Sequence, residues 1–465
     1  MQIARMRQIL TVALCALACA SCSVGRKYER PMVVAPGAFR GADNAQSGPT
    51  SFGDEKWFDV FQDPQLQSLI RTALQQNYDI RIAAARIVEA RARVGIAQAE
   101  QYPSAAVIAT ANNYRYARTK FLNTYETSNT QLGLGLRWSP DFWGKYRNAT
   151  EAARHDLLAD TWAQREVTAS LVADLASAYF TLRDLDLRLE ISRKTLADNR
   201  DSLRLTQLLS DNGATSLLDV RQAEQSVYAA AAAIAGFEKQ IDEQENFIHT
   251  LMGENPEGVT RGVEVTAQPH LPDIAAGLPS SLLERRPDIQ AAEARLVSKN
   301  AQIGVARAAY FPDITLTGLG GFQSLALTRL FSGPTGMWTF VGTLTQPLFN
   351  AGSLKKNVQL AEAETQEAVL TYQKTIQQSF REVSDALKAY AKDQEFRKQQ
   401  ELLTQAAADA QRLSNMRYQG GFSSYLEVLD TNTRYYSAQV TLARAQLDEL
   451  LNYVQLYYVL GGGWQ

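Results

Sequence analysis

The residues whose types and spacing could do chemistry gather in a few short stretches. In Gly420-Gly421-Phe422-Ser423-Ser424-Tyr425-Leu426-Glu427-Val428-Leu429-Asp430, two carboxylates stand three positions apart. On a helix that spacing puts Glu427 and Asp430 on one face, as an acidic patch that attracts cations. A second role fits as well: Ser424-x-x-Glu427 is a capping box, and acids are favoured in a first helical turn. Thr215-Ser216-x-x-Asp219 has the same form. A different chemistry belongs to Cys22, which follows the small residues Ala20 and Ser21. As a new N-terminus, its thiol and amine would accept lipid. His155, His249 and His270 have no second histidine or cysteine at ligand spacing, so no metal site is expected. No phosphate-binding glycine loop or nucleophile motif occurs. Neither catalysis nor a cofactor is expected.

Cys22 closes a leader. Arg5 and Arg7 form a basic start, and Ile9 to Ala20 is an apolar run too short to span a bilayer as a helix. Cleavage before Cys22 would leave one cysteine in the mature chain and so no internal disulfide, in spite of an oxidising compartment. Ala16-Leu17-Ala18 before Cys19 is a competing cleavage site, and an ordinary signal peptide with an incidental cysteine is the plainer alternative. No later stretch reaches about 18 unbroken apolar residues, so no transmembrane helix is expected. An exported chain of this kind is periplasmic, secreted or a β-barrel. The formal net charge of −2 offers no basic stripe for nucleic acid.

The elements that must position these residues come in two copies. Asn77-Tyr78-Asp79-Ile80 resembles Arg286-Pro287-Asp288-Ile289, and the offset holds through Arg86/Arg295, Gly95/Gly304 and Pro103/Pro312. It continues, slightly shifted, through Pro140/Pro347, Gly213/Gly421 and Gly253/Gly461. Such self-similarity marks a repeated structural unit. Proline is absent between Pro140 and Pro256 and after Pro347, so the second part of each repeat can be nearly all helix. Gly213 and Gly420-Gly421 then read as turns between long helices. The first helix of each pair would run from about Lys145 to Asp211 and from about Leu354 to Gln419. At ~1.5 Å per residue each is about 100 Å long, more than a globular core of this chain could house. Leu175, Leu182, Leu189, Leu196 and Leu203 recur every seven residues, with Leu171, Ala178 and Leu185 interleaved. Val369, Ile376, Val383 and Tyr390 repeat the period. This heptad seam predicts coiled packing, which a soluble rod would share.

Before each hairpin a helix of 25 to 40 residues is predicted, the first capped by Asp63-Pro64 and ending at Tyr102-Pro103, its counterpart ending at Phe311-Pro312. The period then falls to two. Leu132, Leu134, Leu136 and Trp138 alternate with Gln131, Gly133, Gly135 and Arg137. Trp338, Phe340 and Leu344 oppose Thr339, Thr343 and Thr345, and Ile314 and Leu316 alternate with threonines. Ser104 to Ala111 alternates poorly and is taken as a strand from the repeat. Polar or glycine-rich loops, Asn112 to Asn129 and Gln323 to Thr335, are expected between the strands of each pair. Alternation also marks a half-buried soluble sheet. Trp138 and Trp338 near strand ends, and neighbouring helices too long to cover the strands, favour a transmembrane barrel. Four strands cannot close around a lumen and open edges are not tolerated in lipid, so copies must share the barrel. Counting leaves two, three or four copies open.

These residues resemble a known family. Cys22 to Pro31 looks like the mature start of the lipoprotein branch of the outer-membrane efflux proteins. Leu278-Pro279-Ser280 with Leu283-Glu284-Arg285-Arg286-Pro287-Asp288-Ile289 resembles the family's central motif. Ala308 to Pro312 and Leu460 to Trp464 fit too, so the chain is identified as a TolC-like, OprM/NodT-type lipoprotein. Where that branch has a leucine-like residue three places before the anchor, this chain has Cys19.

The resemblance implies a homotrimer with a 12-stranded barrel and a helical tunnel, without catalysis or cofactor. It implies a periplasmic adaptor protein and an inner-membrane transporter, of the resistance–nodulation–division class, as partners. The implied place is the outer membrane of a Gram-negative cell, lipid-anchored at Cys22. The implied domains are a signal peptide at 1–21, an extended segment at 22–62, a first repeat at 63–253 and a linker at 254–280. A second repeat at 281–461 and a tail at 462–465 follow. Strands are expected at about 104–116, 130–140, 313–322 and 337–348, and helical hairpins at about 145–252 and 354–460. Glu427 and Asp430 match the family's acidic ring positions and Leu426 an apolar constriction residue. Threefold symmetry would set six carboxylates around one pore, and crowding would raise some of their pKa values. The tips, Gly213, Ala214, Thr215 and Ser216 with Gly420, Gly421, Phe422 and Ser423, are the expected adaptor-docking surface. The function expected is passive export of small toxic molecules. An exit duct for proteins or peptides is the alternative, and a poreless periplasmic scaffold a more distant one.

Overall fold

The computed structural model describes residues 24–25, 27–41, 51–117, 124–264 and 276–464. The leader and Cys22 lie outside the described residues. The elements run α1 (Pro64–Gln76), α2 (Tyr78–Ala99), β1 (Ser104–Tyr116), β2 (Tyr125–Trp138), α3 (Lys145–Asp211) and α4 (Leu217–Met252). The second copy follows as α5 (Pro279–Arg285), α6 (Pro287–Ala308), β3 (Asp313–Ser324), β4 (Gly336–Thr345), α7 (Ser353–Gln419) and α8 (Tyr425–Val459). Among the described residues the architecture is mainly helical with one four-stranded antiparallel sheet. Among the described residues no helix is long and apolar enough to cross a membrane.

Two compact units divide the chain. The first holds the four strands with residues 86–161 and 291–373 around them. The sheet is antiparallel in the order β1-β2-β3-β4, so β2 and β3 join the two copies through Thr130↔Ser324 to Trp138↔Leu316. Tryptophans pin the strand ends. Trp143 stacks on Phe311 at 4.8 Å and donates from Nε1 to the Pro312 carbonyl at 2.8 Å. Trp138 donates to the Gln101 carbonyl at 3.1 Å.

The second unit holds residues 33–85, 162–290 and 374–465. Its core forms where the heptad seam predicts it. Leu171, Leu175, Ala178, Leu182, Leu185 and Leu189 are buried, as are Ile376, Val383 and Tyr390. Leu196 and Leu203 are only half-buried, because the seam thins toward the turn. Phe52, Phe61, Tyr453 and Tyr457 fill the same core. Each fully buried large side chain contributes about 1.5–3 kcal/mol relative to exposure. Asp63 caps α1 through the amides of Gln65 and Leu66, as its Asp-Pro sequence predicts. Its other oxygen accepts from the Tyr179 hydroxyl at 2.8 Å and the Val263 amide at 2.9 Å, tying linker residues to the long helix.

Some expectations need correction. The single helix expected before the first strands is broken at Asn77, whose ψ of 132° takes it out of helical geometry between α1 and α2. Its side chain explains the break: Oδ1 accepts from the Asp79 and Ile80 amides and so caps a new helix, while Nδ2 donates to the Leu251 carbonyl at 2.8 Å. The second copy breaks at the equivalent Arg286, where Pro287 disfavours helical geometry in the residue before it. The first strand spans the expected 104–116, but the second begins at Tyr125 and not near 130, so the loop expected over Asn112 to Asn129 is shorter. β1 continues to Tyr116 and β2 begins at Tyr125, with Asn112↔Asn129 and Tyr116↔Tyr125 still in register. Polar residues end an apolar belt without ending a hydrogen-bonded ladder.

Candidate functional site

The register sorts the sheet into two faces, because paired residues project to the same side. One face carries Val107, Leu134, Leu136, Trp138, Leu316, Phe322, Trp338, Phe340 and Leu344. Most of these are strongly exposed in the single chain, Trp338 at 81%. The opposite face carries Thr110, Asn112, Gln131, Arg137, Thr315, Thr317, Gln323, Thr339 and Thr343, with Ile108, Leu319, Met337 and Val341 among them. At its centre Gly133 faces Gly321, and a Cβ on Gly321 would lie 2.2 Å from the Leu132 carbonyl oxygen. Among the described residues the outer edges of β1 and β4 pair with no strand. An apolar surface and two open edges in one sheet demand further strands beside them.

The acidic tip residues lie in the second unit. The α7–α8 turn closes as Gly420 donates to the Met416 carbonyl and Phe422 to that of Arg417, with Gly421 left-handed at φ 73°. The α3–α4 turn uses Gly213 at φ 74° in the same way. A small core of Ala223, Tyr425 and Val428, backed by Leu203 and Tyr418, holds the neighbouring hairpins together. Burial raises the Tyr425 phenol above its ordinary value. Gly213, Ala214, Ser216, Gly420, Gly421 and Phe422 are exposed, whereas Thr215 and Ser423 are half-buried.

The turns differ in chemistry. In the first, Ser216 and Asp219 form the predicted capping box, and Thr215 also donates to Asp219. The Thr215 hydrogen bond, ahead of the Ser216 contacts, holds the Asp219 carboxyl below its ordinary range. In the second, the capping box read from Ser424-x-x-Glu427 does not form, because the Ser424 side chain makes no cap hydrogen bond. Glu427 instead turns across the hairpin to Arg417, Nε to Oε1 at 3.1 Å. Asp430 pairs with Arg434 at 2.8 Å. Both acids therefore have guanidinium partners, and Leu426 stands beside them 61% exposed. The sequence reading missed both arginines. The i,i+4 spacing of Asp430 and Arg434 could have revealed one; Arg417 reaches Glu427 only through the turn.

A third cluster occupies the central motif. Arg286, almost fully buried, donates to Asp288 at 2.7 Å and to the Val459 carbonyl at 3.2 Å, and pairs with Glu382 at 2.8 Å. Burial works to lower its pKa, but the carboxylates more than offset that and raise it. Nearby Glu166 accepts from Tyr458, and burial raises its carboxyl above the ordinary range. This motif is a structural clamp on the end of α8. Among the described residues no group of three His, Cys, Asp or Glu side chains is placed to hold a metal. His270 and the cysteines lie outside them.

Comparison with known proteins matches this geometry. The profile described as outer membrane efflux protein matches residues 69–254 and 278–462, one span per repeat. The probable efflux pump outer membrane protein TtgC of Pseudomonas putida is 35% identical, over 98% of this chain and 96% of its own length. The cation efflux system protein CusC of Escherichia coli is 33% identical, over 97% of each. The open state of the MtrE outer membrane channel of Neisseria gonorrhoeae superposes with a TM-score of 0.86 at 31% identity, over 96% of this chain and 99% of that one.

Proposed function

The chain belongs to the outer membrane efflux protein family, and from that premise we propose that three copies make one conduit whose periplasmic end is held shut by the α7–α8 turns. It is the channel component of an efflux pump in the outer membrane of a Gram-negative cell. It works with the adaptor and inner-membrane transporter of its pump.

The observation that carries it is the sheet. The described residues of one chain supply four strands, an apolar belt on one face and two open edges. Three copies supply twelve strands, which close with the apolar face to lipid and the threonine-rich face to a lumen. In the proposed closed tip, Arg417–Glu427 latches α7 to α8 across the turn, Arg434 holds Asp430 on α8, and Leu426 narrows the opening. The tips at Gly213 to Ser216 and Gly420 to Ser423 meet the adaptor, and the transporter is of the resistance–nodulation–division class. Lipid on Cys22 anchors the N-terminus. The repeats run over 63–253 and 281–461, joined by 254–280. The conduit is passive, with no catalytic step and no cofactor, and exports small toxic molecules.

Single-channel recording in planar bilayers tests this. The wild type should be mostly closed, and Glu427→Gln with Asp430→Asn should open it. Repeated absence of conductance in that double variant would reject the conduit. Crosslinks to an adaptor that avoid both turns would reject the docking surface.

A further inference from the structure

The outer end of the β1–β2 hairpin carries an aromatic cluster that the conduit reading does not use. Tyr116 stacks on Tyr125 with ring centroids 4.8 Å apart and planes 18° from parallel. Tyr114 lies 6.2 Å from Tyr116 at 33°. The register puts all three on the face of Thr110, Asn112 and Gln131, away from Leu134 and Trp138. Tyr114, Tyr116 and Tyr125 are each about half exposed, at 49%, 48% and 50%. Aromatic rings in a barrel usually serve the lipid interface from the apolar face. These do not, so that role cannot account for them.

Among the described residues no charged side chain shares that face near the hairpin end. Arg115 and Glu126 pair at 3.4 Å on the other side of the hairpin. Arg137 and Asp313 stand at the opposite end of the sheet, beside Ser104 and Thr345. The neighbours are Asn112, Thr127 and Asn129, with Gln323 donating to Asn129 at 2.9 Å. Among the described residues a solute at this height meets ring faces and neutral hydrogen-bonding groups. Stacked phenols attract flat π-systems, and their negative faces attract cations.

We propose that Tyr114, Tyr116 and Tyr125 form a stacking site for planar aromatic molecules on the lumen face at the exit of the conduit. Repeated around the ring, the site makes an aromatic collar through which cargo passes last. Planar aromatic cations are held tightest, because stacking and cation–π attraction add. Aliphatic cations of similar size gain only the second term. The proposal rests on the reading of the polar face as the lumen.

Full-length protein in nanodiscs provides the test, with ethidium as the planar cation and tetrabutylammonium as the aliphatic one. Ethidium should bind at least tenfold tighter, which is about 1.4 kcal/mol. Replacing all three tyrosines by phenylalanine should keep ethidium affinity within about twofold. Replacing all three by serine should weaken it about tenfold or more, with the detergent-resistant oligomer intact. Equal binding of the two cations, or a serine variant that binds ethidium like the wild type, would overturn the collar. If the serine variant does not assemble, the wild-type and phenylalanine comparisons with tetrabutylammonium decide it alone. A nitroxide on Tyr116→Cys separates this failure from that of the lumen reading. Relaxation by a water-soluble nickel chelate places the rings in water, as the lumen reading requires. Relaxation by oxygen in the acyl chains places them in lipid and rejects both readings.

Discussion

Replacing Arg286 by methionine should loosen the end of α8 far more than a surface arginine would. The guanidinium is 6% exposed and serves Asp288, Glu382 and the Val459 carbonyl together. Methionine keeps much of the apolar stem and removes the charge. It leaves two carboxylates facing each other near Glu166, and one carbonyl without its donor. Breaking a buried pair from one side costs about 3–5 kcal/mol. Asp288 and Glu382 remain 26% and 33% exposed, so water re-solvates them in part. The cost should therefore fall near the lower end, about 3 kcal/mol. At about 1.4 kcal/mol per tenfold, hydrogen exchange of the amides in the last turns of α8 should accelerate roughly 100-fold. Lysine should recover only part, since one ammonium cannot fork to two carboxylates. Adding Glu382→Gln to Arg286→Met should slow exchange again by relieving repulsion. Acceleration below about fivefold, or a double variant worse than the single one by the full Glu382 effect, would refute the clamp.

Other outcomes follow from the same geometry. Glu166 has a folded pKa raised above the ordinary 4.5, chiefly by burial. The stability this contributes is complete below 4.5 and is lost as pH rises through the folded value. Glu166→Gln should therefore match wild type near pH 4 and become the more heat-resistant form as pH rises, read by helical circular dichroism. Gly321→Val should abolish the detergent-resistant oligomer, because its Cβ would meet backbone at 2.2 Å. Gly320→Ala, with nothing within 4 Å, should leave it intact on the same gel. Ser216→Ala should cost about 1 kcal/mol of cap and speed exchange at the start of α4 about fivefold. Ser424→Ala should leave the start of α8 unchanged, since that side chain caps nothing.

Much of this protein could be read from residue order because its longest elements are governed by local rules. Proline exclusion and a seven-residue period need no partner to be visible, and they place α3 at Lys145–Asp211. The Asp63 cap, the Ser216–Asp219 box and the glycine turns are decided within a few residues of themselves. Alternation likewise marks the apolar face of β2. Contacts between distant segments were invisible for the opposite reason. Asn77 ends one helix and starts another while bonding to Leu251, a partner 174 positions away that only the folded chain brings near. Arg417, not a cap, claims Glu427, since a turn brought it within 3.1 Å. Arg286 reads as a motif in the sequence and becomes a clamp only when α7 and α8 arrive. Tyr114, Tyr116 and Tyr125 became one surface only once the ladder proved to run past Asn112, because alternation fixes a side chain's face but only register fixes its neighbours.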